Sequence, residues 1–372
     1  MRLDDFQLER YFARHEFAVR HLLCASDVEG WPMAELLELA DPEAKALWDG
    51  LTLGYTESAG HPLLRREIAG LYETIDPDDV LVFAGAEEAI FVASNVLLGP
   101  GDHAIVTWPA YQSLHEVARA TGAEVTLHEL HASEGWALDV DRLRAEVRPT
   151  TRLIVLNVPH NPTGMIPPHA TLREVADVAA EAGATLLCDE VYRFLEHDPS
   201  DRVAAGADLG AHGASIGVMS KSFALAGLRI GWLASRDRPF LDAAARFKDY
   251  TTITSSAPAE ILALIALRAR DRALDRSRAI TDPNLALADA FLERSPSFAW
   301  VRPRGGSIGF PTLLADVPID RFVENLLEAE GVLLAPGSIF GHRGNHFRLG
   351  LGRAGFAEGL ERLEAFAHRT LG

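Results

Sequence analysis

A chain of 372 residues with 48% hydrophobic and 24% charged residues is too long for one small core, so two globular domains are expected. The formal net charge of −18 argues against nucleic acid or an anionic membrane surface as the main partner, and no apolar run reaches membrane-spanning length. Two cysteines far apart, Cys24 and Cys188, make no disulfide framework and suit a reducing cytoplasm, and Met1–Phe6 lacks the apolar core of a signal peptide.

The first segment, residues 4–23, reads as an aromatic-rich helix or arm. It runs into the irregular polar stretch Leu23–Gly30, and a helical pattern follows at Met33–Leu39. Asp27 and Glu29 in that stretch either cap the coming helix and face water or wait for a cationic group. Leu51–Arg65 places Tyr55 five residues before Gly60 at a loop–helix junction, where an aromatic ring can simply fill a pocket. From there strands and helices alternate, the pattern of a mostly parallel sheet covered on both faces.

Four strand ends carry polar chemistry. Val80–Phe83 leads into Gly85-Ala86-Glu87, a turn whose glycine lets backbone N–H groups approach an anion at a helix N-terminus. Glu87 is then expected to point away. Ala104–Thr107 ends near Tyr111, and Leu153–Val158 runs into His160-Asn161-Pro162-Thr163-Gly164, also a good turn sequence. Ala184–Cys188 closes on Asp189, followed by Tyr192. An acid ending an apolar strand is costly unless paired. Open α/β sheets bind ligands just beyond these carboxyl ends, so Gly85, Tyr111, Asn161 and Asp189 converge on one edge.

The next strand, Ser215–Ser220, delivers Lys221, one of only three lysines, before Gly227-Leu228-Arg229-Ile230-Gly231 opens another. Beyond long helices at 240–274, a second domain carries Pro336-Gly337 and then Arg348 inside the apolar strand Phe347–Leu351, where it needs a counter-ion or an edge location.

Ser220-Lys221 with Gly227–Gly231, Asn161–Gly164, Asp189–Tyr192 and Arg348 together resemble the class I/II aminotransferases, pyridoxal-phosphate enzymes of fold type I. The resemblance runs from about Tyr55 to Arg348. It implies an α/β fold with a large domain built on a mostly parallel sheet and a smaller α/β domain. The expected division is an arm and start of the small domain at 1–45, the large domain at 46–275 and the small domain at 276–372. By resemblance Lys221 is the Schiff-base residue and proton carrier. Arg229, Gly85, Ala86, Glu87 and Ser220 surround the cofactor phosphate, and Tyr111 stacks on its ring. Asn161 and Tyr192 meet its phenolic oxygen, while Asp189 keeps the ring nitrogen protonated. Arg348, with Asn161, holds the substrate α-carboxylate. Tyr55 reaches the phosphate in the other subunit of a homodimer. Where the family has a phosphate-binding serine three residues before the lysine, this chain has Val218, and Ser220 or Ser222 is left to compensate.

The family's arm crosses the active-site mouth, which would place Asp27 and Glu29 against the substrate side chain and favour a cationic one. The activity implied is amino transfer from an amino acid to a 2-oxo acid, with no metal. Elimination, cyclisation or oxidation on the same cofactor is the alternative. A ligand-sensing regulator on this fold is more remote, since such proteins carry a DNA-binding domain first, and this chain starts too late and too acidic for one.

Overall fold

The computed structural model describes residues 2–371. An N-terminal helix α1 (Gln7–His15) is followed by an extended segment, a short helix at Met33–Leu37 and then α2 (Pro42–Asp49), capped by the Asp41 side chain with Pro42 in its first turn. The centre of the molecule is a seven-stranded sheet of β1 (Val80–Phe83), β2 (His103–Trp108), β3 (Glu124–Glu129), β4 (Thr151–Asn157), β5 (Thr185–Asp189), β6 (Gly213–Val218) and β7 (Gly231–Ser235). Its order is β1-β7-β6-β5-β4-β2-β3. Every pairing is parallel except the two made by β7, which is antiparallel to β1 and β6.

The odd strand matters for function. Because β7 runs against its neighbours, its start lies at the same sheet edge as the ends of β1, β4, β5 and β6. Gly231 pairs with both Phe83 and Val218, and Asn157 pairs with Asp189. The loops after β1, β2, β4, β5 and β6 and the loop before β7 therefore open on one edge.

Alternation along the strands supplies the two apolar faces. Ala104, Val106, Leu153, Val155, Leu187 and Ile216 pack under helix α3 (Ala86–Leu97), with Phe240 and Leu241. Ile105, Ile154, Leu156, Leu186 and Cys188 pack against Val175 and Val178 on the other side. At the β1–β7 end of the sheet, Val82, Trp232 and Ala234 join helix α4 (Ala257–Arg268) in a further core.

The smaller core centres on a three-stranded sheet of β8 (Ile308–Gly309), β9 (Ala335–Pro336) and β10 (Phe347–Gly350), with β10 in the middle. Leu23, Phe291, Phe322, Phe347, Leu349 and Phe356 fill it. Packing does not divide at the expected boundaries. Position 45/46 falls inside α2, whose Ala44 is buried in the large core with Leu36, whereas Leu23 belongs to the small one. Position 275/276 falls inside the 25-residue helix α5 (Arg270–Arg294). That helix places Ala273 and Leu274 in the large core and Leu285, Ala288 and Phe291 in the small one. Among the described residues, no helix is long and apolar enough to cross a membrane.

Candidate active site

The shared sheet edge opens into a cavity of about 390 Å³. Lys221 enters it from the loop between β6 and β7, with Nζ donating to Ser26 Oγ at 2.9 Å. Burial lowers its pKa, and the nearby Arg348 charge adds to this against Asp27, Glu9 and Asp189. A lysine amine kept closer to neutrality is a nucleophile and a base, which arginine could not be.

Asp189 ends β5 on the cavity wall, 4% exposed, and accepts from the Val191 N–H at 3.3 Å. Burial pushes its carboxyl up to about 7, against that N–H and the Lys221 charge. Tyr192 is 1% exposed, and burial pushes its phenol up to about 12 against the Arg348 charge. Its hydroxyl has no hydrogen-bond partner among the described residues, Ser26 approaching without completing one.

Asn157, the last residue of β4, ties the floor together. Its amide nitrogen donates to Asp189 O at 2.8 Å and its oxygen accepts from the Asn161 N–H at 2.5 Å. Asn161 lines the cavity, and its side-chain oxygen accepts from Arg348 Nη1 at 3.2 Å. Arg348 is fully buried and donates from Nε and Nη2 to Cys24 O at 3.0 and 2.8 Å. The expectation of a counter-ion or an edge location fails. The strand is the middle of its sheet, and a carbonyl, an amide and the rings of Phe12 and Phe340, at 5.8 and 5.2 Å, surround the guanidinium instead. No carboxylate pairs with it among the described residues, so the charge stands ready for an anion one layer behind Asn161.

At the opposite end of the cavity, Gly85 opens α3 with φ of 86°, and Arg229 sits in the left-handed region with φ of 54°. A Cβ at Gly85 would come within 2.7 Å of Arg229 Nη2, and one at Gly231 within 2.7 Å of Ala86 N. The two glycines thus let a helix N-terminus and a guanidinium share one small space, a cradle for an anion. Ser220 lines the cavity beside Val218. Ser222 does not compensate for the missing serine, because its hydroxyl is spent on the carbonyls of Arg193 and Val191. Glu87 corrects a second expectation. Its carboxylate does not turn away but lies on the cavity wall, held by the Ser113 hydroxyl, and burial raises its pKa. A carboxyl that gives up its charge more readily is easier to keep beside an anion site.

Tyr111 lines the cavity, its ring 5.0 Å from Phe6 and its hydroxyl donating to Glu9 at 3.3 Å. Of the two acids in the polar segment, only Asp27 reaches the cavity, paired there with Arg353 at 2.8 Å. Glu29 does not, because its carboxylate accepts from the Ala354 N–H at 3.0 Å and its own N–H is bonded to Gly352 O. Tyr55 is 88% exposed and away from this cavity, so it fills no pocket of its own chain. Residues the sequence reading passed over also line the wall: Ser26, Asn157, and Glu9, Phe12 and Glu16 of the arm. The spacing of the last three, i, i+3 and i+7, was a signal available in the sequence.

A model of the family described as aminotransferase class I and II matches residues 23–363. The chain belongs to the class I/II aminotransferase family. It is 31% identical over 360 residues to capreomycidine synthase of Streptomyces vinaceus, covering 94% of this chain and 88% of that protein. It is 32% identical over 344 residues to the aspartate/prephenate aminotransferase of Thermus thermophilus, covering 88% and 86%. Among solved structures, a PLP-dependent aminotransferase from Streptococcus suis superposes with a TM-score of 0.94 at 32% identity, covering 99% of each chain. The PLP-dependent cyclase OrfR superposes at 0.90 and 32%, covering 99% of this chain and 98% of that one. The fold is that of fold type I, and the cofactor is pyridoxal phosphate.

The residues present fit that cofactor on three independent observations: an orphaned Tyr192 hydroxyl, a buried acid at a strand end, and an anion cradle that a Cβ would fill. Lys221 would hold its aldehyde carbon, Arg229 with the α3 N-terminus its phosphate, and Asp189 its ring nitrogen. Bound there, the cofactor supplies an electron sink that makes the substrate α-carbon acidic.

Proposed function

We propose that the protein transfers the α-amino group of an amino acid to a 2-oxo acid. The observation that carries this reading is that Lys221 Nζ and Asn161 line one cavity, while the Arg348 guanidinium, without a carboxylate partner among the described residues, donates to the Asn161 side chain from behind. Arg348 binds the α-carboxylate and so fixes the α-carbon. Lys221 Nζ takes the α-proton and would return it two bonds away, to the carbon on the far side of the amine nitrogen, and Tyr192 donates a hydrogen bond that only a bound ligand can accept. Asp189, once paired, stays ionised and holds the opposite charge in place.

The exposed Tyr55 supports a homodimer with shared sites. It lies with Leu53, Tyr250 and Ile253 on exposed loops that Thr56 joins to Ser255 O at 3.4 Å. The two buried, unpaired cysteines support a cytoplasmic location. A second reading, cyclisation of an amino acid without net amino transfer, is favoured by the likeness to capreomycidine synthase and to the cyclase OrfR. Steady-state turnover of the holoenzyme with and without pyruvate or 2-oxoglutarate separates them. Turnover that requires the acceptor supports amino transfer, and sustained turnover without one overturns it in favour of the second reading.

A further inference from the structure

We propose that the substrate carries a cationic distal group, a guanidinium or an ammonium, and that Glu16 and Glu9 of the N-terminal arm, with Asp27, select it. This rests on the reading of the cavity as a site for an α-amino acid on the bound cofactor.

The arm turns a single stripe toward the cavity: Leu8, Glu9, Phe12 and Glu16, the i, i+1, i+4 and i+8 positions of one helical face and its C-terminal cap. It is anchored before any ligand arrives. Tyr11 donates to Leu334 O at 2.7 Å, the Gln7 N–H donates to the Gln112 side chain at 2.9 Å, and Leu8 is buried. Phe12, the middle of the stripe, lies 5.8 Å from the Arg348 guanidinium, and Glu9 and Glu16 stand about one helical turn to either side of it on the cavity face.

The charge balance there is negative. The charged groups that face Glu16 are Asp27, Arg353, Glu9 and Lys221. Arg353 is already taken by the Asp27 carboxylate at 2.8 Å, and burial drives Lys221 toward neutrality. Burial and the Asp27 and Glu9 charges together raise the pKa of Glu16 despite the two cations. Three carboxylates thus line one wall with one engaged guanidinium among them, while a second guanidinium, Arg348, waits without a counter-ion behind Asn161. An α-amino acid whose side chain ends in a cation satisfies both ends, and one ending in a carboxylate would meet the acids. That the cavity is built for a ligand is shown separately by the Tyr192 hydroxyl in the same cavity, 1% exposed as a residue and without a partner among the described residues.

The test compares arginine with citrulline, its neutral isostere, and lysine with norleucine. Spectral titration of the bound cofactor and kcat/KM are measured for the wild-type holoenzyme, Glu16→Gln and Glu9→Gln/Glu16→Gln. A charge-assisted contact in a partly closed site corresponds to a preference of about tenfold or more for the cation. The wild type is expected to show it in both pairs, and the double variant to lose most of it. The wild-type ratio needs no variant to fold, so instability of a variant leaves the test standing. A ratio near one in the wild type, or an unchanged ratio in the double variant, overturns the inference while the amino acid site remains. If no amino acid perturbs the cofactor absorbance, the proposed function falls and this inference with it.

Discussion

Asp189 ties the chemistry to a measurable stability. Its carboxyl moves from an ordinary 3.8 to about 7 because burial at the end of β5 leaves it little beyond one backbone N–H. Three units at about 1.4 kcal/mol each disfavour the carboxylate by roughly 4 kcal/mol. A folded-state pKa above the unfolded value means that the folded chain holds more protons between about pH 4 and 7. The contribution is therefore fully present below about pH 4 and is lost as pH rises toward 7. In the cofactor-free protein at pH 8, Asp189→Asn removes that strain and introduces an amide short of partners, which costs about 1–3 kcal/mol. The net expectation is a gain of about 1–3 kcal/mol in the cofactor-free protein, read by denaturant melts at pH 5 and pH 8, with the gain confined to the higher pH. The holoenzyme should behave in the opposite sense. The ring nitrogen loses its counter-ion, cofactor affinity falls, and α-proton transfer slows by roughly 10²–10⁴-fold even at saturating cofactor. A cofactor-free variant destabilised equally at both pH values, together with unchanged proton transfer, would refute the pairing.

Gly231→Ala should lower cofactor affinity and cost about 1–3 kcal/mol of stability, because the new Cβ would stand 2.6 Å from Gly85 C, a backbone atom that cannot swing aside. A variant matching the wild type in melting and cofactor titration would show that the cradle is loose. Arg348→Lys should raise KM for amino acids at least about tenfold with a smaller change in kcat, since a point charge replaces a fork already braced by Cys24 O; a kcat loss with unchanged KM would place the carboxylate elsewhere. If Tyr55 completes a neighbouring site, activity on dilution should follow the dimer fraction measured by sedimentation, and a fully active monomer would contradict this.

The site was legible in the sequence wherever it follows from topology. Strand ends are short, apolar and bounded by turns, so Gly85, Tyr111, Asn161 and Asp189 could be placed on one sheet edge from the sequence, with Lys221 in the turn between two strands. The antiparallel course of β7 was not legible, because a strand's direction is fixed by its connection and not by its composition; yet it is what brings Arg229 to the same edge. Side-chain commitments were the weaker part. Glu29 was indistinguishable from Asp27 as a surface acid until the Ala354 N–H claimed it. Arg348 looked as if it needed a counter-ion because a carbonyl 324 residues away cannot be read locally. Glu9 and Glu16 carried a helical spacing, but their target becomes visible only once α1 is packed over the cavity.

The central claim, amino transfer on Lys221, is tested most directly by a single half-reaction. Purified holoenzyme is mixed with an amino acid in the absence of any oxo acid, and released 2-oxo acid is counted per active site while the cofactor absorbance is followed. The account expects one equivalent to be released, turnover to stop, and both absorbance and turnover to return when pyruvate or 2-oxoglutarate is added, with Lys221→Ala giving none of these. Many equivalents of a cyclised or eliminated product per site, formed without an acceptor, would contradict it.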